Sequence, residues 1–168
     1  MTLLRERTEG GIEVLRLNRP DVRNAFDTAL IGALTRALDE LAADDSLRVL
    51  VLSTTSPVAL SAGADVAEPL TPEGGIARMR AFSRLYAALE AFPVPTVAVC
   101  VGNVVGAGAE LAAGCDLRVG GDNLKLGWVG ARLGVPVGVA RLVPLVGEAV
   151  AKELIFTGRV LDADGADA

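Results

Sequence analysis

The sequence predicts an α/β fold built on a mainly parallel sheet, and three observations carry that expectation. RVLVLSTT at 48–55 and TVAVCV at 96–101 are continuous apolar runs without polar alternation, the pattern of strands covered on both faces. The segments around them carry apolar residues at helical spacing. Strands and helices alternate along the chain with no linker, low-complexity stretch or internal repeat, so residues 1–168 read as one domain.

Each element follows in order. GIEVLRLN at 11–18 places Ile12, Val14 and Arg16 on one face of a strand and Glu13, Leu15 and Leu17 on the other. After the polar turn NRPDVRN, Asp27 is placed to cap a helix whose Leu30, Ile31, Leu34, Leu38 and Leu41 form one stripe, ending near Ala43. The strand at 48–55 leads into SPVALSAGAD, read as a loop. Residues 75–92 predict a helix with Ile76, Met79, Phe82, Leu85, Tyr86 and Leu89 on one stripe, closed by Pro93. The strand at 96–101 leads into a second small-residue loop, GNVVGAGAE, and a short helix from about Ala107. Short strands near 116–119 and 124–126 follow, then helical segments near 138–146, with a kink at Pro144, and near 148–157.

Composition narrows the function. Half the residues are hydrophobic, enough for a substantial core. The net charge of −5, with no run of Lys or Arg, argues against nucleic acid as a partner. Histidine is absent, which removes Ser-His-Asp and Cys-His nucleophile systems and His-ligated metal sites, so no metal is expected and acid–base work falls to carboxylates. Cys100 and Cys115 sit in apolar contexts as small hydrophobes, which fits a reducing cytoplasm. The N-terminal MTLLRERTEGG carries charges where a signal peptide needs its apolar segment. The uncharged stretch Ala91 to Ala109 contains Pro93, Pro95, Gly102, Asn103, Gly106 and Gly108, so it reads as a buried strand and a loop instead of a membrane helix.

The most specific stretch is GNVVGAGAELAAGCD at 102–116. In an open α/β sheet, ligands sit at the carboxyl ends of strands, where this loop and SAGAD both fall. The spacing of Gly102, Gly106 and Gly108 resembles the dinucleotide loop of short-chain dehydrogenases. That fingerprint belongs to a first strand–helix turn, however, and the Tyr-x-x-x-Lys pair is missing, since Tyr86 has Glu90 four residues on. Equally, the glycines can simply let a helix pack closely on a strand. Glu110, a lone carboxylate in the first turn of an apolar helix, is either a dipole-stabilised surface group or a buried functional acid, and the uncharged run before it favours burial.

Three stretches together give a resemblance. LNRPDVRNAFD at 17–27, SAGADV at 61–66 and GAGAELAAGCD at 106–116 resemble, in the right order, the N-terminal signature and the two oxyanion loops of the crotonase, or enoyl-CoA hydratase/isomerase, superfamily. The resemblance implies a spiral of ββα units with mainly parallel sheets, and binding of an acyl-CoA thioester whose enolate is stabilised by two backbone amides, those of Ala64 and Ala107. It places Ala62, Asp65, Val66 and Gly106 in the substrate-binding set, Arg23 and Ala25 at the edge that meets the nucleotide end of CoA, and Glu110 as acid–base. It implies no separate cofactor, coenzyme A being part of the substrate, and a homo-oligomer, a trimer or dimer of trimers.

Two departures matter. The family's hydratases use a second glutamate in a Pro-Glu pair before a Leu-Gly, and LGWVGARLG at 126–134 has Val129 and Gly130 there. That leaves a single-glutamate reaction at Glu110, a second acid supplied from elsewhere in the chain or assembly, or an acyl-CoA binder without turnover. The chain also ends in TGRVLDADGADA, where the family's C-terminal helical segment is expected to begin, so that segment is expected to be missing.

Overall fold

Two sheets divide the strands between them in the computed structural model, which describes residues 1–134 and 140–167. The larger sheet sets β1 (Leu3–Thr8), β2 (Ile12–Leu17), β3 (Val49–Thr54), β5 (Thr96–Cys100) and β7 (Leu117–Gly120) side by side in that order. The smaller holds β4 (Ala59–Ser61), β6 (Asn103–Val105) and β8 (Lys125–Gly127). Apart from the antiparallel β1–β2 pair, every pairing between these strands is parallel. Helices α1 (Thr28–Ala42), α2 (Pro72–Glu90), α3 (Ala107–Ala113), α4 (Val143–Thr157) and α5 (Ala163–Asp167), with two 3-10 helices, Pro20–Val22 and Val129–Leu133, complete the described elements. From Val49 onward the chain repeats one unit: a strand in the large sheet, a strand in the small sheet, then a helix. The units β3-β4-α2, β5-β6-α3 and β7-β8-α4 wind as the expected spiral of ββα turns.

The local chemistry behind α1 is as expected. The Asp27 carboxylate accepts from Leu30 N at 2.7 Å, Ala43 forms the C-cap, and Leu30, Ile31, Leu34, Leu38 and Leu41 are all buried. On β2 the buried face carries Leu15, Leu17 and also Glu13. Phe26, Leu30, Leu34, Leu50, Leu52, Leu60 and Leu85 belong to the main core, and a second cluster joins Ala109 and Ala113 to Trp128, Leu142, Ala151, Leu154 and Ile155.

Several expectations are corrected. The two predicted loops each contain a strand, β4 and β6, whose three residues are too few to show an apolar pattern. β3 and β5 are less uniformly covered than continuous apolar runs suggest: Leu50, Leu52, Thr96, Ala98 and Cys100 are buried, whereas Val49, Val51, Val97 and Val99 are partly exposed. α2 starts earlier, with Thr71 accepting from Gly74 N at 3.1 Å, and its apolar stripe is only half used. Phe82, Leu85, Tyr86 and Leu89 are buried, but Ile76 and Met79 are 57% and 52% exposed because the first half of the helix lies off the core. The break in α4 falls at Gly147 (φ 79°, ψ 164°) and not at Pro144, which occupies the first turn, where a missing N–H costs nothing. Residues 138 and 139 of the helix predicted near 138–146 lie outside the described residues, and 140–142 form a turn. Cys100 and Cys115 are buried free thiols, pushed up to about 11 and about 12 by desolvation. No described helix is long and apolar enough to cross a membrane.

Candidate active site

The spiral brings the two small-residue loops into contact. A methyl group built on Gly63, which stands at φ 92°, would lie 3.0 Å from Val105 O and 3.5 Å from Ala107 N. One built on Gly108 would lie 2.8 Å from Ser61 Cβ and 2.9 Å from Ser61 O, so α3 can reach β4 only with glycine there. The loop after β4 and the N-terminus of α3 therefore abut, as two loops at the carboxyl ends of parallel strands should.

The amides at this junction are directed by their neighbours. Phe26 N donates to Gly63 O at 2.8 Å and Asp65 N donates to Phe26 O at 2.9 Å. In a parallel bridge of this kind the intervening Ala64 turns its own amide to the opposite side. Ala107 is the first residue of α3, whose opening amides have no intrahelical acceptor. Among the described residues, neither the Ala64 nor the Ala107 amide has a protein acceptor. Tyr86 of α2 donates from its hydroxyl to Ala107 O at 3.3 Å and so fixes the Ala107–Gly108 peptide, the one after the Ala107 amide.

Glu110 lies one turn into α3 and is 2% exposed. Trp128 Nε1 donates to its Oε1 at 2.6 Å, and Arg141 Nη1 donates to its Oε2 at 3.0 Å. Arg141 stacks over the Tyr86 ring, its guanidinium carbon 4.5 Å from the centroid, and its Nε lies 2.6 Å from Glu90 Oε1, too far out of line for a hydrogen bond. A second carboxylate therefore approaches Glu110, with Arg141 between the two. Burial raises the Glu110 carboxyl above its ordinary value of 4.5, outweighing the Trp128 and Arg141 hydrogen bonds and the Arg141 charge, which act downward; Glu90 adds to the rise. Gly130, in the position expected of a glutamate, is buried in a 3-10 helix, Val129–Leu133, which Trp128 precedes as N-cap.

The remaining expected site residues gather beside this junction, held by backbone bonds. Arg23 stands at φ 52° with its side chain exposed, and its carbonyl accepts from Ala62 N at 2.8 Å. Ala25 is buried and its carbonyl accepts from Arg19. Asp65 is bound within the protein, Oδ2 to Arg19 Nη1 at 3.0 Å and Oδ1 to Ala67 N at 3.1 Å, while Val66 is 78% exposed. Gly106 forms the N-cap of α3 at φ 55°.

A family model for enoyl-CoA hydratase/isomerase matches residues 7–168. The chain belongs to that family, within the crotonase superfamily. It is 37% identical over 171 residues to methylglutaconyl-CoA hydratase of Rattus norvegicus, covering 97% of this chain and 53% of that protein. The crystal structure of enoyl-CoA hydratase from Bacillus anthracis superposes with a TM-score of 0.92 at 27% identity, covering 99% of this chain and 67% of that one. An enoyl-CoA hydratase structure from Mycobacterium smegmatis gives 0.91 at 29% identity, covering 99% and 66%. The chain spans about half the length of the curated relatives it matches.

Trp128, Arg141, Tyr86 and Glu90 were not legible as site residues in the sequence. One signal was available: Trp128 is the sole tryptophan, two residues before the missing glutamate.

Proposed function

We propose that this chain binds an acyl-CoA thioester and processes it with Glu110 as the single acid–base, the thioester oxygen resting between the amides of Ala64 and Ala107. The observation that carries this reading is a buried carboxylate one helical turn from Ala107, whose backbone amide, like that of Ala64 on the abutting loop, has no protein acceptor among the described residues. Small residues let a thioester approach that backbone, and the N-terminus of α3 favours negative charge on its oxygen. A carboxylate that accepts from an indole and a guanidinium is held ready to take a proton. With no glutamate at Gly130, one group performs both transfers: Glu110 takes a proton from water as its oxygen adds to the β-carbon, the carbonyl oxygen receives the displaced electron pair, and the same proton returns to the α-carbon. Deprotonation at carbon and return of the proton to another carbon would make the same site an isomerase.

A non-catalytic acyl-CoA binder is the second reading, favoured by Gly130 and by the ion pair that already occupies Glu110. Incubation with an enoyl-CoA in deuterated water separates the two. Hydration or deuterium entry next to the carbonyl, lost in Glu110→Gln with CoA binding retained, is expected for the enzyme; measurable CoA binding with neither signal overturns it in favour of the binder.

A further inference from the structure

We infer that Arg141 is a positioning residue, which holds Glu110 by one carboxylate oxygen and ties it to Glu90 as a second carboxylate of the site. This rests on Glu110 being the acid–base proposed above. Different nitrogens of one planar guanidinium serve the two carboxylates, Nη1 reaching Glu110 Oε2 at 3.0 Å and Nε lying 2.6 Å from Glu90 Oε1. An ammonium group, a point charge on a flexible stem, cannot hold both in this fixed geometry. The plane of the fork is set by Tyr86, 4.5 Å beneath it, and the Tyr86 hydroxyl reaches Ala107 O at 3.3 Å. Arg141 is thereby connected to the carboxylate of Glu110 and, through Tyr86, to the carbonyl of Ala107, in the peptide that follows the Ala107 amide.

The polar groups around Glu110 come from three neighbours, since β4 (Ala59–Ser61) and β6 (Asn103–Val105), which also pack on α3, carry no titratable side chain. Helix α2 supplies Tyr86 and Glu90, the N-cap of the 3-10 helix supplies Trp128, and the turn before α4 supplies Arg141. Trp128 pins Oε1 and Arg141 pins Oε2, so the carboxylate cannot rotate, and one lone pair on each oxygen is left for a proton. Glu90 is about half exposed and holds the other side of Arg141, so it limits how strongly Arg141 draws on Glu110. The cation and the distant carboxylate therefore act on Glu110 in opposite senses. That opposition separates a positioning role from a structural tack between α2 and α3.

The sole tryptophan of the chain, Trp128, is hydrogen-bonded to Glu110, so its fluorescence reads the protonation of Glu110 without any substrate. Intact wild-type protein is titrated with acid beside Glu110→Gln, Arg141→Gln, Arg141→Lys and Glu90→Gln, with circular dichroism reporting folding. Expected are one fluorescence step in wild type that Glu110→Gln lacks, a midpoint raised by about one pH unit in Arg141→Gln, a smaller rise in Arg141→Lys and a fall in Glu90→Gln. The acid limb of kcat on an enoyl-CoA should move in the same order, with KM little changed. An Arg141→Gln midpoint at or below that of wild type overturns the inference, as does a Glu110→Gln variant that keeps the step. If Arg141→Gln fails to fold, Glu90→Gln decides alone, since its midpoint must fall. Full turnover in Glu110→Gln sinks the acid–base reading; an inactive Glu110→Gln with identical midpoints in the other variants sinks only the role of Arg141.

Discussion

Glu13 and Glu110 are equally hidden, 3% and 2% exposed, yet their surroundings differ in kind. Glu13 sits on β2 directly opposite Arg7 of β1 and receives two guanidiniums, Arg5 Nε at 3.0 Å and Arg7 Nε at 3.0 Å. Those arginines run outward to Glu40 at the end of α1 and to Asp44, so the charge drains into solvent through a network of ion pairs. Glu110 has an indole and one guanidinium, which Glu90 also engages, and it lies one helical turn from the Ala107 amide, which lacks a protein acceptor among the described residues. Burial of a carboxylate is thus no mark of a site by itself. What marks Glu110 is a charge left incompletely compensated, which on the function proposed above lies next to the thioester oxygen.

The comparison can be broken most forcefully at Glu110. Glu110→Gln should lower enoyl-CoA turnover by about 10²- to 10⁴-fold, the usual loss of a general acid–base, with thioester binding retained in calorimetry. Trp128→Phe should act on the same group more weakly: it removes the donor to Oε1, and since hydrogen bonds to charged acceptors are worth about 1.5–3 kcal/mol, kcat should drop about tenfold or more, with the acid limb of the pH profile displaced upward.

Glu13 should respond in the opposite currency. Glu13→Gln is expected to cost about 1–2 kcal/mol of unfolding free energy in urea, and not the larger loss of a fully buried broken pair, because the Arg5 and Arg7 side chains keep 41% and 34% exposure and can rehydrate. Turnover should be untouched; a kinetic defect would mean that the network reaches the site. The smallest effect is a slope with pH. The folded protein holds the Glu110 proton more tightly than the unfolded chain does, so this group contributes stability at low pH that is lost as pH rises from 4.5 through its raised value. Urea midpoints across that range should decline in wild type, and the decline should be shallower in Glu110→Gln.

Much of the fold was legible because its signals are local. Asp27 and the stripe from Leu30 to Leu41 lie within one helix, and the strand-helix alternation identified the parallel arrangement. β4 and β6 were hidden because three residues carry no period, and the exposure of Ile76 and Met79 was hidden because helical spacing says which residues share a face, not how far the core extends under it. In LNRPDVRNAFD the resemblance singles out Arg23 and Ala25, yet the side chain with the most partners is that of Asn24, fully buried, donating to Thr54 Oγ1, Ala59 O and Leu60 O and accepting from Arg19 N. The motif owes at least part of its character to holding the chain together under the site. Glu110 stood out as the one charge in an apolar stretch. Arg141 and Trp128, 31 and 18 residues farther along, become its partners only through the return of the spiral.

Helix α3 has seven residues, and every one of them is buried. An isolated helix shorter than about 12 residues does not persist in water, so α3 owes its existence to the strands and helices packed around it. The Glu110 amide, bonded to Gly106 O at 3.0 Å, should accordingly exchange its hydrogen only when the surrounding spiral opens. The reactive geometry then has no private melting point: a destabilising change anywhere in the packed turns, however remote from Glu110, should accelerate exchange at this amide in proportion to the whole protein's loss of stability.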